Sequence, residues 1–203
     1  MHELVELSHY RAVVAQMYAR VRADGAGEEP WARWRVTRDE LFRTHPRSPL
    51  AGRPDAEPLA FAPYDPSWRL ETALEPAQGD EGFEVAHSGD GSTRFRRVGR
   101  VVAHRFGEEV GLDLFWLDAY GGGLFLPFRD RSNGDTTYGG GRYLLDGAKG
   151  ADLGTAGERL VLDFNYAYHP SCAHDGRWSC PLAPPGNHLA VRVDAGELLR
   201  SAP

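Results

Sequence analysis

The chain has few cysteines, almost no lysine, no long apolar run and no excess of positive charge, and each shortage closes off a class of protein. Two cysteines in 203 residues cannot form the dense disulfide framework that small secreted scaffolds rely on. A chain of this length buries enough surface to fold around an ordinary core. The net charge of -6 argues against a nucleic-acid partner, which would need a basic stripe to displace counterions from phosphates. No stretch approaches the roughly 18 apolar residues of a membrane helix, and no basic start followed by an apolar core marks a secretory leader. No membrane partner is therefore expected, and the default expectation is a cytoplasmic protein whose thiols are kept reduced. The single lysine, Lys149, against many arginines reflects GC-rich coding more than chemistry.

What is present is 41% hydrophobic and 26% charged, ordinary for one globular domain over residues 1–203, in three stretches. Residues 1–45 read as helical. Leu4, Leu7, Val14, Met17, Tyr18 and Val21 follow helical spacing, and Gly25 is a natural stop. A second helix begins near Pro30 with Trp31 and Trp34 on one face. Thr37 and Glu40 have capping-box spacing, so the sequence allows either a break near Val36 or one helix continuing from Trp31. Residues 46–68 carry six prolines, Pro46 to Pro66, which deny the segment helix or central strand. Phe61, Tyr64 and Trp68 should pin it to the body.

Residues 69–197 read as β. Strands are expected at Arg69–Glu75, Phe95–Phe106, Leu112–Ala119 and Leu124–Phe128, with a turn at Glu108 and Glu109 and another at Gly121–Gly123. Further strands are expected near Arg142–Leu145, Arg159–Tyr166 and Leu189–Val193. The fold class is α+β, mainly β: an antiparallel barrel or sandwich with one or two N-terminal helices.

Two runs concentrate chemistry. In "PFRDRSNGDTTYGGGRYLLD" (residues 127–146), Arg129, Asp130 and Arg142 crowd a loop opened by Gly134 and Gly139–Gly141. Glycines let backbone approach a ligand, and a fixed guanidinium seats a carboxylate or phosphate. The phosphate-loop spacing is absent, and no cofactor is expected. In "FNYAYHPSCAHDGRWSCPLAPPGN" (residues 164–187), His169 and His174 flank Cys172, and seven residues separate Cys172 from Cys180. The cysteines are a disulfide, free apolar groups, or, with His169 and His174, a zinc site whose spacing is unlike the familiar fingers. Asp163, Asn165 and Ala167 should share one side of a strand, and Phe164, Tyr166 and Tyr168 the other.

These runs resemble the bacterial and archaeal family called domain of unknown function 1684. The likeness is carried by Pro127–Asp130, Asn133–Gly134, Thr137–Tyr143, Asp163–Asn165, Ala167–Cys172, Cys180–Pro185 and Ala195–Glu197, with "THPRSPL" (residues 44–50) upstream. It implies a mostly β fold and names no reaction. His169 stands where the family pattern has Asn, and His174 where an aromatic is commoner.

Two functions of different class remain open. In one, the protein binds or transforms a small anion. Arg142 anchors it with Arg129, Asp130 is the general base, Tyr138 and Asn165 hydrogen-bond, and His169 exchanges protons near neutral pH. Arg142 and Asn165 would then line a common hollow at the mouth of a closed sheet. In the other, the same residues form a network that only stabilises the fold, and the domain is a structural or interaction module. A metal site at Cys172, His174 and Cys180 is the minor third reading.

Overall fold

The computed structural model describes residues 2–53, 55–79, 82–105 and 107–200. Pro54 and Phe106, the latter the expected end of a strand, lie outside them.

Helix α1 (Glu3–Asp24) starts where the His2 ring accepts a hydrogen bond from Leu4 N and ends at Gly25 with φ 84°. That positive φ costs glycine nothing. Its buried face is Tyr10, Val14, Met17, Tyr18 and Val21, the three-and-four spacing of one helical stripe. Helix α2 (Glu28–Thr44) buries Trp31, Trp34, Arg38, Leu41 and Phe42. It runs unbroken past Val36, because the Thr37 hydroxyl donates to the Arg33 carbonyl one turn back (2.9 Å) instead of capping a new helix. The two helices pack as a hairpin, with Trp34 edge-on to Tyr18.

The proline-rich segment crosses the body with Trp68 buried and Tyr64 tilted against Trp31 at 5.6 Å. It contributes β1 (Ala60–Phe61), which pairs antiparallel with β11 (Glu197–Leu198). The remaining strands are β2 (Arg69–Thr72), β3 (Leu74–Pro76), β4 (Gly82–Ala86), β5 (Ser92–Arg105), β6 (Glu108–Leu117), β7 (Leu124–Phe128), β8 (Arg142–Asp146), β9 (Thr155–Ala156) and β10 (Arg159–Asp163). An antiparallel sheet runs β3-β5-β6-β7-β8, with β4 also on β5, and a second has the order β2-β10-β9. The class is α+β, as expected. Helices and aromatics cover one face of the larger sheet through Phe95, Phe115, Phe125 and Tyr143. On the other, Leu112, Leu114, Leu126, Phe128 and Leu144 pack with Trp68, Leu162 and Phe164.

Four expectations are corrected. Among the described residues the sheet does not close into a barrel. Strand β10 stops at Asp163, whose carboxylate caps a 3-10 turn over Phe164–Tyr166, so it never runs along β8. For the same reason Asp163 to Tyr168 do not alternate between two sides; all are buried. Residues 189–193 are no strand, because their backbone is held otherwise: Leu189 N donates to Arg129 O, and Val193 O accepts from Arg142. Glu108 and Glu109 lie within β6 rather than in a turn.

Candidate functional site

The first polar run folds into a knot below the larger sheet. After β7 the chain turns through Asp130, whose Oδ1 accepts from Ser132 N (2.7 Å), while Asn133 Oδ1 accepts from Asp130 N (2.6 Å). It returns at Gly141, with φ 98° and no room for a Cβ beside the Phe128 carbonyl, and enters β8 at Arg142. That guanidinium donates from Nη2 to Asp130 Oδ2 (2.8 Å) and to Val193 O (3.0 Å), and from Nη1 to Ala195 O. Both partners of the Asp130–Arg142 pair have side chains 0% exposed. Burial lowers the pKa of Arg142 and the Asp130 carboxylate opposes the shift. Arg142 thus meets the carbonyls of the C-terminal segment, where an anion anchor would need an open face, and Asp130, spent on it, has no substrate proton to take.

Asn165 lies in a different place. Its Nδ2 donates to Asp163 Oδ1 (2.7 Å) and Asp65 O (2.8 Å), and its Oδ1 accepts from Asp65 N (2.9 Å). Trp31 Nε1 donates to its carbonyl (3.0 Å). The amide is consumed in tying the proline-rich segment and α2 to the end of β10, and no hydrogen bond joins it to Arg142. The expected common hollow is replaced by two separate buried knots. Burial pushes the Asp163 carboxyl up to about 6, against the hydrogen bonds from Asn165.

A third knot surrounds Glu197, which sequence reasoning did not single out although it ends the A-G-E motif. Arg38 of α2 donates to Glu197 Oε2 at 2.8 Å, and His169 N donates to the same oxygen at 3.2 Å. On the other oxygen, His174 Nε2 stands at 3.2 Å and His169 Nδ1 at 3.7 Å. Burial opposes ionisation of Glu197, but Arg38 and the two imidazoles hold its pKa far below the usual carboxylate range. Burial also drives His169 down to about 3. It stays neutral at physiological pH, and its ring is sealed inside with Nε2 taken by Tyr138 N and Nδ1 turned to Glu197, so no face is open to a substrate, which corrects its expected acid/base role.

His169, His174 and Glu197 offer ligand atoms within 4.8 Å of one another, and His174 Nε2 and Glu197 Oε1 are buried without a hydrogen-bond partner among the described residues. His169 Nε2 accepts from Tyr138 N (3.2 Å), so the neutral ring carries its proton on Nδ1, the atom facing Glu197. The carboxylate is already matched by Arg38. Cys172 and Cys180 are not part of this cluster, so the expected set of Cys172, His174 and Cys180 is not assembled among the described residues. Both cysteines are free, Cys180 buried and Cys172 partly so. Arg129 uses its backbone on Asn187 and Leu189, while its guanidinium pairs with nothing among the described residues. Tyr138 serves through its backbone, accepting from Asn133 Nδ2 (2.9 Å) and donating to His169 Nε2 (3.2 Å), with its ring edge-on to His169 at 6.4 Å.

A recessed cavity with room for a ligand lies on the other face of the larger sheet. A cavity of about 350 Å³ opens between α1, the sheet and residues 178–181. Its walls are apolar: Leu7 and Tyr10 from α1, Phe95, Leu117 and Phe125 from the sheet, and Trp178 with Pro181. Lys149 sits at one end, paired with Asp146 at 2.6 Å; burial opposes its charge but Asp146 prevails and raises its pKa. Arg11, at the mouth, is exposed and has no ion-pair partner among the described residues. His87 Nδ1 is 3.2 Å from Ser179 Oγ, but that hydroxyl donates to Asp90 O (2.9 Å), so the imidazole is not placed as its base. The Trp178 indole N–H, buried in the wall, has no acceptor among the described residues. Neither Arg142, Asp130, Arg129, Asn165, Tyr138 nor His169 lines this cavity; Cys180 does.

The sequence model of a family described as protein of unknown function (DUF1684) matches residues 56–198. The chain belongs to that family. The solution NMR structure of an uncharacterized protein of Haloarcula marismortui superposes on it with a TM-score of 0.61 at 33% identity, covering 84% of this chain and 95% of the other. No curated protein matches. The DUF1684 match takes in the residues of the three buried knots except Trp31 and Arg38, which come from α2. It also takes in most of the cavity wall, whereas Leu7, Tyr10 and Arg11 come from α1, ahead of the matched residues. No helix among the described residues is long and apolar enough to cross a membrane.

Proposed function

We propose that this protein binds a small amphipathic anion in the cavity beneath α1. The support is a wall of aromatic and aliphatic side chains around about 350 Å³, within the range of small-molecule pockets. Its polar lining carries three cationic side chains, Arg11, Arg47 and Lys149, with the hydroxyls of Thr93, Ser171 and Ser179 and the His87 ring, against one carboxylate, Asp146, which Lys149 already pairs. The observation that carries the reading is the aromatic and aliphatic wall with Arg11, which has no ion-pair partner among the described residues, beside it. The ligand class is a carboxylate, sulfonate or phosphate on an apolar body.

The test uses anilinonaphthalene sulfonate, an aromatic anion whose fluorescence rises in apolar surroundings. Saturable binding to the native protein is expected, weakened several-fold by Arg11→Glu, an exposed substitution, and abolished by Thr93→Trp, which fills the cavity. Non-saturable fluorescence, or the same titration in all three proteins, ends the reading.

For Asp130, Arg142, Asn165 and Glu197 a shape-holding role is better supported than ligand contact. Each side chain is buried and hydrogen-bonded to backbone or to a partner charge from a distant segment.

A further inference from the structure

His9, exposed on α1, and His45, the buried residue that ends α2, meet side by side. His9 Nδ1 lies 3.1 Å from His45 Nε2, and the ring planes are within 17° of parallel. The backbone fixes where the protons sit. Arg47 N donates to His45 Nδ1 (3.0 Å), so that nitrogen is an acceptor and the neutral ring carries its proton on Nε2. His45 Nε2 therefore donates to His9 Nδ1, and neutral His9 keeps its own proton on Nε2. The result is a directed array from Arg47 N–H through His45 to His9. A proton added to His45 must go on Nδ1, where it opposes the Arg47 N–H. A proton added to His9 must go on Nδ1, where it opposes the His45 N–H. The array exists only while both rings are neutral, and imidazole takes up protons near about pH 6.5.

This array ties the first half of α1 to the turn that follows α2. Leu7, Tyr10 and Arg11 on that half wall the cavity, and so does Arg47. Tyr10 also stands edge-on to His45 at 5.3 Å. Besides Tyr10, the titratable and charged groups around the pair among the described residues are Glu6 and Arg47, joined to each other at 3.0 Å, and Glu3, which also pairs with Arg47. The hydrogen bond from Arg47 holds Glu6 below its usual pKa, so it stays ionised where histidine titrates. Glu6 lies one turn before His9 on the same helix and can receive a charged His9. Burial first, and then His9, lower the pKa of His45; Glu6 opposes the shift and Arg47 adds to it. The hold is therefore complete above the ordinary histidine range and is lost as pH falls below it.

We propose that His9 and His45 form a proton-operated latch on the cavity, holding α1 closed over it while both rings are neutral and releasing that end of the helix when one takes up a proton. The latch rests on the cavity being the binding site. With the array formed, Leu7, Tyr10 and Arg47 stay in place around the bound anion. With it broken, that wall loosens, and the amphipathic anion enters and leaves faster at acid pH.

The experiment compares the full chain at pH 7.5 and pH 5.0. Long-range proton–nitrogen NMR spectra at pH 7.5 should show His9 and His45 each protonated on Nε2 alone; a proton on Nδ1 of one of them would refute the array. Hydrogen exchange of residues 6–12, corrected for its intrinsic pH dependence and read by mass spectrometry, should be about fivefold or more faster at pH 5.0. Dissociation of anilinonaphthalene sulfonate, followed by stopped flow, should quicken to a similar degree. His9→Gln combined with His45→Asn removes both titrating rings, while the introduced asparagine oxygen can still accept from Arg47 N; this variant should lose both accelerations. His9→Gln alone, an exposed change, should weaken them. Equal protection at the two pH values overturns the latch, as does the same acceleration in the double variant, or a dissociation rate that ignores pH while exchange responds. Absence of saturable dye binding ends the cavity reading and the gate with it. Protection and tautomers are read without the dye, so the two failures are told apart.

Discussion

Replacing Arg142 by alanine leaves the buried Asp130 carboxylate with only backbone N–H donors, those of Ser132 and Val193. The carboxylate would remain with its side chain 0% exposed, and the carbonyls of Val193 and Ala195 would lose their donor. Breaking a buried pair at one partner costs about 3–5 kcal/mol, and each orphaned carbonyl adds about 1–3 kcal/mol unless water enters. For a domain of this size about 1 kcal/mol moves the midpoint by roughly 2–4 °C, so Arg142→Ala should melt at least about 10 °C lower, or fail to fold. Asp130→Ala with Arg142→Ala should lose less than the two single losses added, because the double variant buries no lone charge. Differential scanning calorimetry, with circular dichroism to verify the fold, reads both. An Arg142→Ala protein melting within about 2 °C of wild type would refute the claim that this guanidinium holds the C-terminal segment, and would return it to the candidates for ligand contact.

Two further outcomes concern pH. Asp163, raised from 3.8 to about 6 by burial, binds a proton in the folded state where the unfolded chain does not. The stability it contributes is complete below about pH 3.8 and is lost as pH rises through about 6. Asp163→Asn keeps an oxygen to accept from Asn165, so it should stabilise by up to about 3 kcal/mol at pH 7.5 and by almost nothing at pH 3.5; urea titrations at the two pH values decide, and an equal gain at both would refute it. His169, depressed from 6.5 to about 3 by burial, works in the opposite direction: below pH 6.5 the unfolded chain binds the proton and the folded one does not, so stability falls as pH falls toward about 3. His169→Asn should remove about 2 kcal/mol of that loss at pH 5, and a variant with the wild-type acid slope would show that His169 does not carry it.

Much of the framework was legible because it rests on local periodicity. The α1 stripe, the glycine stop at Gly25, β7 ahead of its polar loop and the anchoring of Phe61, Tyr64 and Trp68 all follow from spacing and burial of apolar groups. β4 was missed: "GFEVA" is a short half-exposed strand that pairs only because the long β5 has an edge free for it. The strand expected at Leu189–Val193 failed because its backbone is claimed by a side chain from β8, and no alternation rule sees a guanidinium arriving from elsewhere in the chain. The site residues divide along the same line. The sequence marked the chemistry of Asp130, Arg142, Asn165 and His169, but identical residue types serve an open pocket or a sealed knot.

By itself, then, the order of residues determined the α+β class, the gathering of Asp130 and Arg142 on one glycine-rich loop, and membership of DUF1684, since each is written in neighbouring positions or motifs. Tertiary structure alone decided that those groups face backbone instead of solvent, that Glu197 and Arg38 join His169 and His174, and that the open cavity lies on the opposite face of the sheet. Burial is the reason: whether a charge is free for a ligand depends on which distant segments fold over it, and that is a property of the packed chain.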